Sequence, residues 1–308
     1  MIESPAETIV FEPLPTDDTD ASLNKNLNPE AQAVRTKPTT SSFRQTIKLL
    51  QQKGGRRSRF RGISIFVINQ IAISWVAQFL SMLPFFPRGA AAVVAAVLTA
   101  QLSLAWTHIV ISDPSPKMWF RRLPSTRTWK KVAIPTAVLA IAEQVAILIP
   151  LYIGIMSGMG DKIQDPNDAA NMGGREVTVL GLQGAGLGAL ALLLSFLLVI
   201  PADVSLTRVQ ASLLADSEET IVPFDRSFGG KVIPEIVGGS GVVGMLDAWK
   251  TFDWNSRIRL IKAYFKVFLM EVAVGFLFFV VAFGEIALVL AKSKKVAAGE
   301  GDAVLELM

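Results

Sequence analysis

The sequence predicts an all-α fold: a polytopic membrane helix bundle with about five transmembrane helices. Three observations predict it. Of 308 residues, 51% are apolar and only 18% charged, with a mean hydropathy of +0.44, whereas soluble chains average about 25% charged residues. Five stretches are apolar over the ~20 residues needed to cross about 30 Å of hydrocarbon. With no Cys and a single His, disulfides, thiolate metal sites, iron–sulfur clusters and cysteine nucleophiles are excluded, as are sites that need several histidines.

Taken in order, residues 1–42 read as a disordered N-terminal tail. Met1–Thr40 carry seven acids, three bases and five prolines, too little apolar surface to offset the entropy of ordering. The tail lacks the basic and then apolar run of a secretory signal, and its acids argue against a cleaved organellar presequence. The bundle occupies residues 43–291. Near 43–52, Phe43, Ile47 and Leu50 share a face, as in a helix lying on the membrane surface. The spans follow at Ile63–Phe85, Gly89–Ile111, Val132–Met156, Val177–Ile200 and Tyr264–Ala291. The second opens with an alanine run, and the fourth reads GLQGAGLGALALL; both suit helices pressed against neighbours. Gly229-Gly230-Lys231 lacks the GxxxxGK[ST] pattern of a phosphate-cradling loop. A second amphipathic surface helix falls near 242–254, where Val242, Met245, Leu246, Trp249 and Phe252 oppose Asp247, Lys250 and Asp253. Residues 292–308 form a C-terminal tail.

Orientation follows from Lys and Arg beside the spans. Arg44–Arg61 holds seven bases and no acid, and Asp113–Lys131 six bases against one acid. Gly158–Glu176 has four acids and two bases. Five spans then put the N-terminus and the basic loops on one side and the C-terminus on the other. Lys292, Lys294 and Lys295 run against this assignment.

Polar residues at membrane depth usually face a bundle interior or a wet cavity. Gln70, Ser74, Gln78 and Ser81 share a face of the first span, with Asn69 at its border. The third span carries Glu143 followed by Gln144, and the fifth carries Glu271 on a stripe with Glu285. Gln70, Gln78, Glu143, Gln144 and Glu271 are therefore candidate cavity or substrate residues. Two alternatives stay open: a protonated, hydrogen-bonded Glu143 that fixes helix packing, and an ion pair of Glu271 with Lys262 or Lys266. His108, beside Trp106, reads as an interfacial anchor. No nucleophile–base pair or metal set stands out, so no catalytic residue, cofactor or metal is expected.

The segment IPADVSLTRVQAS, Ile200–Ser212, resembles the signature that closes the odd-numbered helices of mitochondrial carriers, Pro-x-acid-x-x-base-x-base. Pro201, Asp203 and Arg208 match it, and Leu206 replaces the first base. One hundred residues earlier Gln101, Ser103, Trp106 and His108 occupy the same frame. Spans two with three, and four with five, repeat the family's unit of odd helix, long loop and even helix, with the first odd helix missing. The resemblance implies a pseudo-three-fold arrangement, a solute cavity lined by spans one, three and five, and the inner mitochondrial membrane, other organelle membranes remaining open. Trp106, Leu206 and Ser103 remove charges that the family's ion-pair gates use. The leading expectation is thus a carrier-like protein that moves a small solute; the alternative is a non-transporting scaffold or adaptor on a degenerate carrier bundle. Expected partners are membrane lipids, a small-molecule solute, and a protein partner or second copy. Nucleic acid is not expected, because the basic clusters abut spans, where anionic lipid accounts for them.

Overall fold

The structure, a computed structural model, describes residues 42–160 and 172–305, with side chains as far as Glu285 except that of Phe283. The N-terminal tail and most of the acidic Gly158–Glu176 loop lie outside the described residues. What is described is helical, joined by turns and one isolated bridge between Ser112 and Thr220. It divides into two units, residues 1–252 and 253–308.

In the first unit, α1 (Phe43–Gly54) precedes a tight turn at Arg56–Phe60 and α2 (Ile63–Ser81). Gly62 starts α2 in a left-handed conformation, φ 74°, and a Cβ there would sit 3.0 Å from Trp106 Cδ1. Only glycine meets both demands without strain. α3 (Arg88–Leu98) and α4 (Ala100–Ile111) follow, then α5 (Trp129–Met156), α6 (Gly174–Leu194), a π-helical turn at Ser195–Val199, α7 (Ile200–Ser212) and the short α8 (Met245–Lys250). Four helical stretches are long and apolar enough to cross a membrane: 56–81, 126–156, 174–212 and, in the second unit, 254–282.

The expected span Gly89–Ile111 is bent, not straight: α3 and α4 meet at 55°. At the break Thr99 is buried, and its hydroxyl donates to Ala95 O at 2.9 Å. A side chain bonding back to the preceding turn competes with the helix ladder and bends it. At 1.5 Å per residue each half is only ~17–18 Å long, so neither crosses alone and the pair counts as a fifth span only when taken together. The fourth span also differs. Its helix does not stop at Ile200 but continues through the π-turn to Ser212.

α5 runs unbroken despite Pro135 and Pro150, which membrane helices accommodate through neighbouring groups. It is the centre of the first unit and packs against α3, α4, α6 and α7. The alanine run of α3 meets it closely: Ala91 and Ala95 are fully buried, and a Cβ on Gly89 would lie 3.1 Å from Leu148 Cδ1. On α6 the expected tight packing is partial. Gly184 faces Met159, but Gly181, Gly186 and Gly188 have open space where a Cβ would go.

The core sits at one end of these helices. Leu104, Val132 and Val209 pack there with Phe228, Val243 and Ala248, which the long segment after α7 folds back over the helix ends. Of the residues assigned from sequence to a membrane-surface stripe, Phe252 is buried in the protein and Val242 packs partly buried against this core, while Leu246 stays exposed; the helix itself covers only Met245–Lys250. Arg61 donates to the carbonyls of Ile109 (2.8 Å) and Ser112 (2.6 Å), so its guanidinium closes the C-terminal end of α4, where the helix dipole favours a cation.

The second unit is α9 (Trp254–Leu305). Asp253 starts it by accepting the Ser256 amide at 3.2 Å, a carboxylate cap on free first-turn donors. The helix begins ten residues before the expected Tyr264 and continues to Leu305, into the residues read as a C-terminal tail.

Candidate functional site: an intramembrane polar cleft

Five elements of the first unit enclose a cleft of about 330 Å³. α2 contributes Phe66, Asn69 and Gln70; α4 contributes Ser103, Trp106 and Thr107. α5 adds Thr136, Glu143 and Gln144, α7 adds Asp203, Thr207 and Gln210, and the break at Thr99 lies on the wall with α3 alanines. Glu143 and Gln144 both line it from neighbouring positions on α5. Glu143 and Thr136 are seven residues apart, two turns of one α5 face.

The floor is a hydrogen-bonded seam between α4 and α7. Thr107 Oγ1 donates to Gln210 Oε1 at 2.6 Å, and Gln210 Nε2 donates to Ser103 Oγ at 3.1 Å. His108 Nε2 pairs with the Gln210 carbonyl at 2.8 Å, and its side chain is buried. The expected interfacial role of His108 is therefore corrected: it locks two helices together from behind the cleft. Asn69, 6% exposed, lines the opposite wall, and its Oδ1 accepts no hydrogen bond among the described residues. Phe66 and Trp106 form a tilted aromatic pair, centroids 5.4 Å apart, on the same lining. No Lys, Arg or His is among the lining residues.

Of the residues singled out from sequence, the structure brings Gln70, Glu143, Gln144 and Asp203 into one cleft. Gln78 does not join them. It lies two turns further along α2 with Ser74, Trp75, Phe79 and Met82, at a separate shallow hollow. Glu271 is exposed on α9, in the second unit. Pro201 lies just after the π-turn, inside the continuous 174–212 helix, where local π adjustment of the ladder accommodates its missing amide hydrogen. Arg208 leaves the cleft entirely. Five helical residues from Asp203 amount to 500°, or about 140° around the axis, so the motif's acid and base face different ways. Arg208 is buried beneath the long loop, donating to Thr251 Oγ1 at 2.9 Å with its guanidinium 4.8 Å from the Phe228 ring centre and 5.6 Å from that of Phe252.

Sequence reasoning left out Ser103, Thr107, Thr136 and Gln210 as cleft residues, and placed Asn69 only at a border. Their signal was present but weak: short polar side chains inside apolar spans, common enough as helix-packing groups that none stands out alone.

The loop over Arg208 is held by Asp225. The Ser227 hydroxyl donates to its Oδ1 at 2.6 Å, the Ser227 amide to the same oxygen at 2.8 Å, and the Gly229 amide to Oδ2 at 2.7 Å. The Ser227 hydroxyl is the main reason the carboxyl sits below its ordinary range; the two amides and the positive Arg208 also lower it, while partial burial opposes them. This turn puts Phe228 at φ 50°, a strained conformation for a bulky side chain, held by its burial and by Arg208 over its ring.

Among the described residues no group of three His, Cys, Asp or Glu side chains is placed to hold a metal ion. No protein-family model, no curated protein and no solved structure matches the chain.

Proposed function

We propose that this chain is an integral membrane protein resembling a mitochondrial carrier and moves a small polar solute through the α2–α4–α5–α7 cleft. One observation carries the reading: Gln70, Glu143, Gln144 and Asp203 come from three separate apolar helices yet line one space. Placing two ionisable groups and two amides at membrane depth costs free energy that helix packing alone does not require, which is why such groups usually mark a solute path. The Pro201–Asp203–Arg208 pattern and its partial echo at Gln101–His108 support the carrier resemblance and, through it, the inner mitochondrial membrane. The basic segments Arg44–Arg61 and Asp113–Lys131 suit the face of a membrane rich in anionic lipid. The test is reconstitution of the full chain in liposomes with a panel of labelled cationic, neutral and anionic solutes. We expect flux of one class, reduced at least fivefold by Glu143→Gln; flux of none would overturn transport.

A second reading, a non-transporting scaffold, is favoured by the small-residue ridge of α6, where Gly181 and Gly188 have nothing opposite them among the described residues. Small residues let helices approach closely in lipid. Because the chain has no Cys, a single Gly188→Cys variant would report a neighbouring copy by disulfide crosslinking in membranes. A crosslinked dimer together with absent flux would favour the scaffold.

A further inference from the structure

The chemistry of the cleft wall narrows the class of solute, an inference that rests on the cleft being a solute site. We propose that it takes a small organic cation bearing a protonated amine, with Glu143 as the anionic anchor and Asn69, Phe66 and Trp106 as its other contacts.

Four observations converge. Glu143 and Asp203 both line the cleft, and no Lys, Arg or His lines it among the described residues. An anionic solute would therefore meet a carboxylate with no opposing charge, in surroundings where charge repulsion is weakly screened. Asn69 Oδ1 is a buried acceptor without a donor among the described residues; such an atom carries the full penalty of lost hydration until a donor arrives. An ammonium brings three donors and no acceptor, which is the complement of a carboxylate plus an orphan carbonyl oxygen. Phe66 and Trp106 present aromatic surface on the same lining, and ring faces attract cations, tryptophan most strongly. The neutral hydroxyls and amides of Ser103, Thr107 and Gln210 already satisfy one another, so they offer little that would favour a neutral polyol over a cation.

A matched four-carbon series separates the charge classes: putrescine, 1,4-butanediol and succinate, each added to the purified full chain in detergent, with thermal unfolding as the readout. A ligand that binds the folded state alone raises Tm with its concentration. Putrescine is expected to stabilise saturably while the diol and the diacid do not. Glu143→Gln should weaken the half-saturating putrescine concentration at least tenfold, Glu143→Asp should keep it within about threefold, and Trp106→Leu should weaken it severalfold. Should Glu143→Gln fail to fold, the comparison of Glu143→Asp with Trp106→Leu still decides. Stabilisation by succinate or the diol in place of putrescine would overturn the cation assignment and leave the solute cleft standing. Absence of any shift would also overturn it, whereas the solute-cleft reading stands or falls separately on the flux assay.

Discussion

Asp225 and Arg208 show how single residues hold the lid of this fold. The folded carboxyl of Asp225 lies below its ordinary value, so it contributes stability above the unfolded value of about 3.9 and loses that contribution as pH falls through the lower, folded value. Asp225→Asn should therefore flatten the acid limb of a Tm-against-pH curve between about pH 5 and 2, with little change at neutral pH beyond the lost hydrogen bonds. Arg208 is a stronger case. Its buried guanidinium holds Thr251 and covers Phe228, and charged hydrogen bonds of this kind contribute about 1.5–3 kcal/mol. Arg208→Leu should lower stability by that order and speed limited proteolysis within 213–252, which a timed digest followed by mass spectrometry would read. Its residue type was legible in the motif Pro201–Asp203–Arg208. Its direction was not, since which of two faces 140° apart meets the loop depends on how α7 is rotated against α5.

At the scale of elements, helix contacts separate two kinds of glycine. A Cβ on Gly154 would lie 3.1 Å from Leu187 Cδ1, while one on Gly188 meets nothing. Gly154→Val should cost about 1–3 kcal/mol through overpacking, and Gly188→Ala should cost nothing in the monomer, as measured by thermal unfolding in detergent. The α3–α4 break yields a different expectation. Spin labels ten residues either side of Thr99 would stand about 3 Å further apart if the two halves formed a straight helix, given 1.5 Å per residue. Thr99→Ala should move the distance in that direction by removing the bond to Ala95, and double electron–electron resonance on a paired-cysteine variant would detect it. The break was hidden in the sequence because Gly89–Ile111 is uniformly apolar, and a lone Thr within it bends a helix only where its surroundings hold the bend in place.

For the whole molecule, topology depends on whether the bent pair crosses. Four apolar helices alone would return both termini to one side, and counting α3 with α4 as a crossing separates them. The density of Lys and Arg in Arg44–Arg61 and Asp113–Lys131 favours placing both segments on one face, which requires the pair between them to complete an even number of crossings together with α2. Terminal tags should accordingly show opposite protease sensitivity in sealed vesicles, and matching sensitivity would make the pair re-entrant. Apolar length, charge placement and the absence of cysteine were enough to establish an all-helical chain able to cross a membrane, because these properties add up locally along the sequence. Which polar side chains share the cleft was settled only by packing: Gln70 enters and Gln78 does not, Asp203 enters and Arg208 does not. Gln78 shares a face with Gln70 but lies two turns beyond the cleft's reach along α2, and the division of Asp203 from Arg208 turns on how α7 is rotated; both the depth of the cleft and that rotation are set by contacts between residues about a hundred positions apart, like Thr107 and Gln210.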